Sequence, residues 1–398
     1  MKALVVGGGI GGLTAAIALR RAGHDVTVAE RSPAFAPAGA GIILAPNATA
    51  VLAALGVDLT ERGLPLPALD LLSADGRLLR HTNPRETPSD LGPSLALTRT
   101  ELHAALREAL PEGVRVVHGV TVDSVREGER GTVAVRIADA GAPGADAAPA
   151  APAAGSPAVA GLGPDAYDVV VGADGVRSAV RAACVGQQRL RYSGVTCWRG
   201  LTGNRAGLGR AFESWGPGTR IGAVPLRDDR LYYFLVRKAP RRAPDLTWPG
   251  GFRRAFAGHG GEPGRLLDAL TEAPPLHHDL EELDRPVWGR GRVLLLGDAA
   301  HAMTPNLGQG AAMAIEDAYA LARALAPGAE GALARYAALR HRRVRAVQLT
   351  SRRLGRVAHW RGPVGRLLRE TGLRALPDEL TERQFAALVD PARELLRG

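Results

Sequence analysis

Lysine is almost missing from this chain: of its 50 basic residues only Lys2 and Lys238 are lysine, and the other 48 are arginine. Cysteine is as scarce. Cys184 and Cys197 alone stand among 398 residues, which excludes a disulfide scaffold and a cysteine-built structural zinc site. One bridge between them stays open, with two reduced thiols the plainer reading. Aromatics make up 4%. No apolar run reaches about 18 residues, so a membrane-spanning helix is not expected. What is present is ordinary globular material, 46% hydrophobic and 23% charged, enough for a sizeable core and incompatible with wholesale disorder. The length fits two or three domains, or one composite domain.

The net charge of +10 invites a nucleic-acid partner. Its location argues otherwise. Between Arg335 and Arg369 there are eleven arginines and no acidic residue, so the remainder of the chain sums to −1. Val344, Val347, Leu354 and Val357 recur at helical spacing, which predicts one long docked helix with most of these arginines on its solvent side.

At the N-terminus, Ala3-Leu4-Val5-Val6 reads as a buried strand and Leu13–Arg21 as a helix ended by Gly23. Between them Gly7, Gly9 and Gly12 fit G-x-G-x-x-G, with Gly11 a further glycine of the same turn. The first glycine allows a tight turn, the second lets backbone approach a pyrophosphate, and the third lets the helix pack on the strand. Amides at the helix N-terminus then face the phosphates. A second strand, Asp25–Glu30, ends in an acid 18 residues after Gly12, near the spacing of a carboxylate that holds ribose hydroxyls. This unit binds a dinucleotide, but it does not separate FAD from NAD.

Two later segments repeat the strand-then-turn pattern. In Ala166–Arg181 a strand Val169–Val171 runs into Asp174-Gly175. In Gly291–Asp317 a strand Val293–Leu296 runs into Gly297-Asp298, then Pro305 and Gly308-Gln309-Gly310, then an alanine-rich helix towards Ala326. An aspartate at the carboxyl end of a strand, ahead of a glycine-bounded helix N-terminus, suits a polyhydroxylated linker and a pyrophosphate.

With these three motifs in this order, the chain resembles the single-component FAD-dependent aromatic hydroxylases of the para-hydroxybenzoate hydroxylase fold, in the salicylate, 3-hydroxybenzoate and urate hydroxylase-like branch. The motifs span roughly residues 1–350, and Gly39–Asn47 resembles the family's loop near the flavin. The resemblance implies an α/β fold: a Rossmann-like FAD-binding domain (1–70, 99–183 and 284–330), a substrate domain on a mostly antiparallel β-sheet (71–98 and 184–283), and C-terminal helices (331–398). Eleven of the 17 aromatics fall between Cys184 and Trp288, and alternation at Ile221–Val224 and Leu231–Val236 suggests strands there. The Ala/Pro/Gly stretch 138–164 is expected to be an expanded connection without a packed core.

The resemblance also implies residue roles. Glu30, with Arg31 beside it, would bind the adenosine ribose of FAD. Arg99 would reach the FAD phosphates and linker, for which a long side chain with five donors is suited. Asp298 would hold the ribityl and pyrophosphate region, Pro305 would lie near the reactive ring, and Gly308, Gln309 and Gly310 would pass amides along it. Asp174 and Gly175 are associated with both FAD and a passing NAD(P)H. No catalytic residue is assigned. Arg199, Trp215, Arg220, Tyr232, Tyr233 and Pro305 are candidates for the substrate pocket, although Tyr232 and Tyr233 point to opposite faces of a strand, so one of them lines it. His301 is read as a hydrogen-bonded turn residue rather than an acid/base, and His277-His278 lacks a third metal ligand, so no metal is expected.

The implied reaction inserts one atom of O2 into an aromatic or other electron-rich small molecule, through a flavin C4a-hydroperoxide and at the expense of NAD(P)H. An epoxidase or a dehydrogenase on the same fold is the alternative; the halogenase signature W-x-W-x-I-P is absent. A non-catalytic flavin-binding protein and an arginine-driven nucleic-acid-binding protein are the readings from other classes. The expected setting is the cytoplasm, with no nucleic-acid partner and no stable membrane insertion, and either a monomer or a dimer.

Overall fold

Every residue of the strands Val169–Gly172 and Val293–Leu295 is buried, and so are four of the five in Lys2–Val6. Strands apolar on both faces require cover on both faces, which a parallel sheet flanked by helices supplies. The computed structural model forms that layer; it describes all residues except 36–38, 67, 84–90, 129–131, 138–166 and 398. The connection expected over 138–164 therefore lies outside the described residues. Six strands run in the order Gly289–Arg290, Val293–Leu295, Val169–Gly172, Lys2–Val6, Asp25–Glu30 and Arg115–His118. All pairs are parallel except the edge pair of Gly289–Arg290 with Val293–Leu295. The helices Ile10–Arg21 and Gly310–Leu325 pack on one another beside this sheet.

A second sheet has seven strands, in the order Leu276–Leu283, Leu190–Gly203, Arg230–Lys238, Thr219–Pro225, Ala211–Trp215, Leu69–Ser73 and Leu78–Thr82. Its pairs are antiparallel except that of Ala211–Trp215 with Leu69–Ser73. The back face buries Trp198, Phe212, Ile221, Tyr233 and Leu235 against Phe252, Phe256, Leu266 and Leu267, which come from the helix Gly250–Ala255, the residue just after it, and the helix Gly261–Ala269. Apolar side chains of this kind contribute about 1.5–3 kcal/mol each when fully buried. On the front face Ala211, Val224 and Tyr232 pack with Ala40, Leu66 and Ala96. These come from around a small sheet of Gly41–Leu44, Leu95–Thr98 and Leu64–Pro65. The fold is thus the α/β arrangement expected: a Rossmann-like layer, a mostly antiparallel second sheet, and C-terminal helices.

Of the expected domain cuts, those at 98/99 and 283/284 meet element ends and two others do not. The cut at 70/71 falls inside Leu69–Ser73, and the cut at 183/184 falls inside the helix Ala179–Val185. Leu95–Thr98, grouped with the substrate segment by sequence, pairs instead with Gly41–Leu44.

The helix expected around Val344–Val357 runs over Ala332–Ala358, but the arginine-rich segment is neither one helix nor a solvated face throughout. It breaks before a second helix, Pro363–Ala375, and Arg340 and Arg369 are buried at 1% and 4% exposure. Arg335 donates to the carbonyls of Ala324, Gly328 and Glu330. Arg352 reaches the buried Glu282 at 3.1 Å. Periodicity located the helix, but the carboxylates and carbonyls that draw these arginines inward lie elsewhere in the chain. Both cysteines are free, and burial pushes the Cys184 thiol up to about 11. Among the described residues no helix is long and apolar enough to cross a membrane.

Candidate active site

The fingerprint turn closes on itself. A side chain at Gly12 would place its Cβ 1.9 Å from the Gly7 carbonyl oxygen, so any substitution drives the helix off the strand. Gly7 in turn abuts Ala173, next to Asp174-Gly175, and Ala173 donates its amide to the Val6 carbonyl at 2.8 Å. A Cβ built on Gly11 would sit 2.7 Å from Leu296 and 3.2 Å from Ala314, and one on Gly297 would sit 3.0 Å from Ala314. These contacts gather the N-termini of Ile10–Arg21 and Gly310–Leu325 and the Gly297-Asp298 turn at the carboxyl end of the parallel sheet. Neither helix has a capping side chain or an acidic residue in its first turn. Their free amides and macrodipoles therefore face one groove that favours an anion. On the groove side, Cβ atoms at Gly9, Gly175, Gly308 and Gly310 would meet nothing within 4 Å.

Glu30 stands at the end of its strand, its carboxylate accepting from the amides of Gly8 at 2.6 Å and Ser32 at 2.9 Å. Arg31 beside it is exposed. His103 hydrogen-bonds the Gly8 carbonyl at 2.7 Å, and Phe35 packs edge-on against His103 and His118. Arg99 is the first residue of the helix Arg99–Glu108. Thr98 caps this helix in a reciprocal capping box with Glu101, and the Arg99 amide donates to the Ala40 carbonyl at 3.0 Å. The Arg99 side chain is accessible to solvent and yet deep in protein. Desolvation lowers its guanidinium pKa, opposed by the nearby Asp298. Accessibility combined with desolvation is the signature of a residue lining a concave cleft.

Asp298, exposed at the start of the short helix Asp298–His301, faces the same space. The turn beneath it is fixed by a buried network. Asp317 accepts from the Gly297 amide at 3.0 Å, from His301 Nε2 and from Arg340 Nε at 2.7 Å. Glu316 accepts from Arg340, from Arg343 through two 2.6 Å bonds, and from Asn47 at 2.6 Å. Asn47 also donates to Gln309 at 3.0 Å, tying the network to the Pro305–Gly310 loop. His301 is accordingly a structural residue. Burial opposes ionisation of Asp317, but His301 and Arg340 outweigh it and hold its carboxyl near 2. Arg181, buried, donates to the Ala299 carbonyl at 2.8 Å and the Val176 carbonyl at 2.7 Å, joining the Asp174 turn to the Asp298 turn. Sequence reasoning passed over Arg181, Arg340 and Asn47 because their partners are remote in sequence. The available signal was arginine placed inside otherwise apolar helical patterns.

The front face of the seven-stranded sheet supplies the other wall. Arg199, Leu201, Tyr232 and Phe234 share it, with Tyr232 opposite Leu201 and Phe234 opposite Arg199. Tyr232 lies against the Gly41 backbone, where a Cβ would come within 2.4 Å of its ring. Burial raises the Tyr232 phenol to about 12, with Arg199 and Arg99 opposing, so it is a neutral donor near neutral pH. For Arg199, burial is outweighed by Cys197, Tyr232 and Asp298, and its pKa is raised. His278 lies directly across from Cys197, and burial and then Arg199 lower its pKa. It was weighed in the sequence only as half of a metal pair, yet it belongs to this wall.

Trp215 and Arg220 also reach the front face, but both are engaged. Trp215 Nε1 donates to Glu213 at 2.7 Å. Arg220 donates to Glu213 and, at 2.5 Å each, to Asn306 beside Pro305. Tyr233 does not belong to the pocket. It points to the back face, into the core with Trp198 and Phe256, as the alternation of a strand requires when Tyr232 faces front.

The residues present fit FAD. Two uncapped helix N-termini suit its pyrophosphate, the Glu30 carboxylate sits at the expected ribose end, and the Asp174 Oδ1 is buried with no partner among the described residues. Fold and groove together define a two-layer flavoprotein.

Comparison with known proteins specifies it further. The family pattern described as an FAD binding domain matches residues 167–351, and that of an NAD(P)-binding Rossmann-like domain matches residues 5–39. The chain is 38% identical to a 2-heptyl-3-hydroxy-4(1H)-quinolone synthase of Pseudomonas aeruginosa, over 99% of both chains. It is 34% identical to an aurachin C monooxygenase/isomerase of Stigmatella aurantiaca, over 95% of both. The crystal structure of Klebsiella pneumoniae HpxO with FAD and uric acid superimposes with a TM-score of 0.84 at 26% identity, covering 98% of this chain and 97% of that one. The chain belongs to the single-component FAD-dependent aromatic hydroxylase family. It is an FAD-dependent monooxygenase.

Proposed function

We propose that this enzyme hydroxylates a nitrogen-containing aromatic ring bearing a carbonyl or enol oxygen, of the 4-quinolone class, using NAD(P)H and O2 in the cytoplasm and without a nucleic-acid partner. The observation that carries this is that Arg199 and Tyr232 share the front face of the substrate sheet, and that Tyr232 and Arg99 pack on either end of the Gly39–Gly41 segment, near enough to Asp298 for it to act on both arginines. The relative named as a quinolone synthase supports the substrate class. When bound, FAD would relay reducing equivalents from NAD(P)H and activate O2. The chain's own residues do the rest. A 4-quinolone is a vinylogous amide whose ring carbon next to the carbonyl becomes nucleophilic as negative charge gathers on the oxygen. A permanently charged Arg199 and the neutral Tyr232 hydroxyl are donors suited to that oxygen. Phe234 and Leu201 offer the apolar surface for the ring and exclude water. Gly9, Arg99, Asp174, Asp298 and the Gly308–Gly310 backbone would hold FAD. Arg335, Arg340, Arg343, Arg345 and Arg352 of the C-terminal helix are spent on internal carboxylates and carbonyls, which supports a structural rather than a nucleic-acid-binding role for these five.

The test is NAD(P)H oxidation by the flavin-loaded protein with a panel of 4-quinolones, small phenols and urate. Quinolones are expected to stimulate oxidation most. Arg199→Met is expected to raise KM for them by about tenfold or more with flavin content unchanged. Equal response to every compound, or an unchanged KM, would remove the proposal.

A further inference from the structure

The helix Pro363–Ala375 is amphipathic the wrong way round for a helix in water. Val364, Leu367 and Leu368, spaced three and four apart, share one face, and they are 69%, 67% and 64% exposed. Thr371 and Ala375 continue that face, also exposed, so the outward stripe carries no charge. Arg366 and Arg369 are turned the other way, while Arg374 is exposed at the edge of the stripe. Arg369 is buried, donating to the Ala358 carbonyl at 2.9 Å and the Trp215 carbonyl at 3.2 Å, with its guanidinium 5.6 Å over the Trp215 ring. Arg366 is half-buried. Trp360, 41% exposed, sits just ahead of the helix against Gly365.

Between residues 353 and 374 the charge is almost all positive. Arg353, Arg356, Arg361 and Arg374 are exposed, and the only acid from 353 to 374 is Glu370, which Arg369 engages at 3.3 Å. Acids reappear at Asp378 on the next helix, where Arg80 pairs with it at 2.7 Å. A second copy of the chain is a poor occupant, because a two-fold contact here would set these exposed arginines against their own copies. An apolar stripe with an interfacial tryptophan and a rim of arginines matches a surface that is apolar inside and anionic outside.

We propose that Trp360, Val364, Leu367 and Leu368 form a peripheral docking site for an anionic lipid bilayer, with Arg353, Arg356, Arg361 and Arg374 meeting the headgroups. The helix lies on the surface and does not span it. Arg369 ties the helix to Trp215, and Glu213 ties Trp215 to Arg220 and the Pro305 loop. Docking therefore brings the substrate side of the enzyme to the lipid.

The experiment is co-sedimentation of the full-length, flavin-loaded protein with vesicles of phosphatidylcholine alone or mixed with phosphatidylglycerol. Trp360 emission is isolated by difference against Trp360→Phe. Binding is expected to be about tenfold or more tighter to the anionic vesicles, weakening with salt, with a blue shift of Trp360. Leu367→Ser/Leu368→Ser is expected to lose about tenfold in binding while flavin content and melting temperature stay unchanged. Equal binding of variant and wild type, or of both vesicle types, would overturn the proposal. So would light scattering that shows a dimer, lost in the double variant, with no vesicle binding.

Discussion

Gly12 is the position where a single methyl group does most damage. With its Cβ site 1.9 Å from the Gly7 oxygen, Gly12→Ala is expected to yield protein that purifies without its yellow colour and melts earlier. Gly9→Ala, facing open groove, is expected to keep its melting temperature and lose flavin affinity. Flavin absorbance per protein together with thermal melts separates the two. Arg340 is the other residue on which much rests. Its removal leaves Glu316 without its Nη1 donor and Asp317 without its Nε donor, both wholly buried. Arg340→Met is therefore expected to cost about 3–5 kcal/mol in urea unfolding, as breaking one partner of a buried ion network does. At this scale the glycines and Asp298 were legible because backbone geometry and strand ends leave a short-range mark in sequence. Arg340, Arg181 and Glu213 were not, because their roles depend on partners 23, 118 and 7 residues away that only the fold brings together.

Among the elements, the helix Arg99–Glu108 shows how local chemistry aims a functional group. The Thr98–Glu101 capping box fixes where the helix begins and so where Arg99 projects. Thr98→Ala is expected to cost about 1 kcal/mol and to weaken flavin binding although Thr98 itself is buried away from solvent. A flavin titration unaffected by the change would show that the cap does not position Arg99. Strands and helices flanking the three motifs were readable from hydrophobic period and turn residues. The parallel pairing of Leu69–Ser73 with Ala211–Trp215 was not, since no local pattern marks a strand added from 142 residues away. The arginine-rich helix was found in register, but its solvent side was misassigned because periodicity counts apolar residues and does not see a buried arginine.

For the whole molecule, two buried histidines set an acid limit. His259 lies between Ser214 and Thr219, and burial lowers its pKa to about 4. Burial, then Arg220, lowers His359 to about 4 as well. Each takes up its proton in the unfolded chain near 6.5 but resists it in the folded one. The unfolded state therefore binds more protons through this range, and stability falls as pH drops from about 6.5 to about 4. Urea midpoints across that range should decline steadily, and a flat profile would contradict the burial of these rings as described. The two-layer architecture was legible because it is the scaffold on which the three motifs occur. The front wall of the substrate sheet was legible only as an aromatic-rich region, its individual faces being set by register.

The reaction expected of this chain is transfer of one oxygen atom from O2 to an electron-rich ring. The most direct measurement is mass spectrometry of the product formed by the flavin-loaded enzyme from a 4-quinolone and NAD(P)H under isotopically labelled dioxygen. One labelled oxygen atom per product molecule, with substrate-stimulated NAD(P)H consumption, is the predicted result. Product oxygen drawn from water, or oxidation of the substrate without incorporation of oxygen, would contradict it.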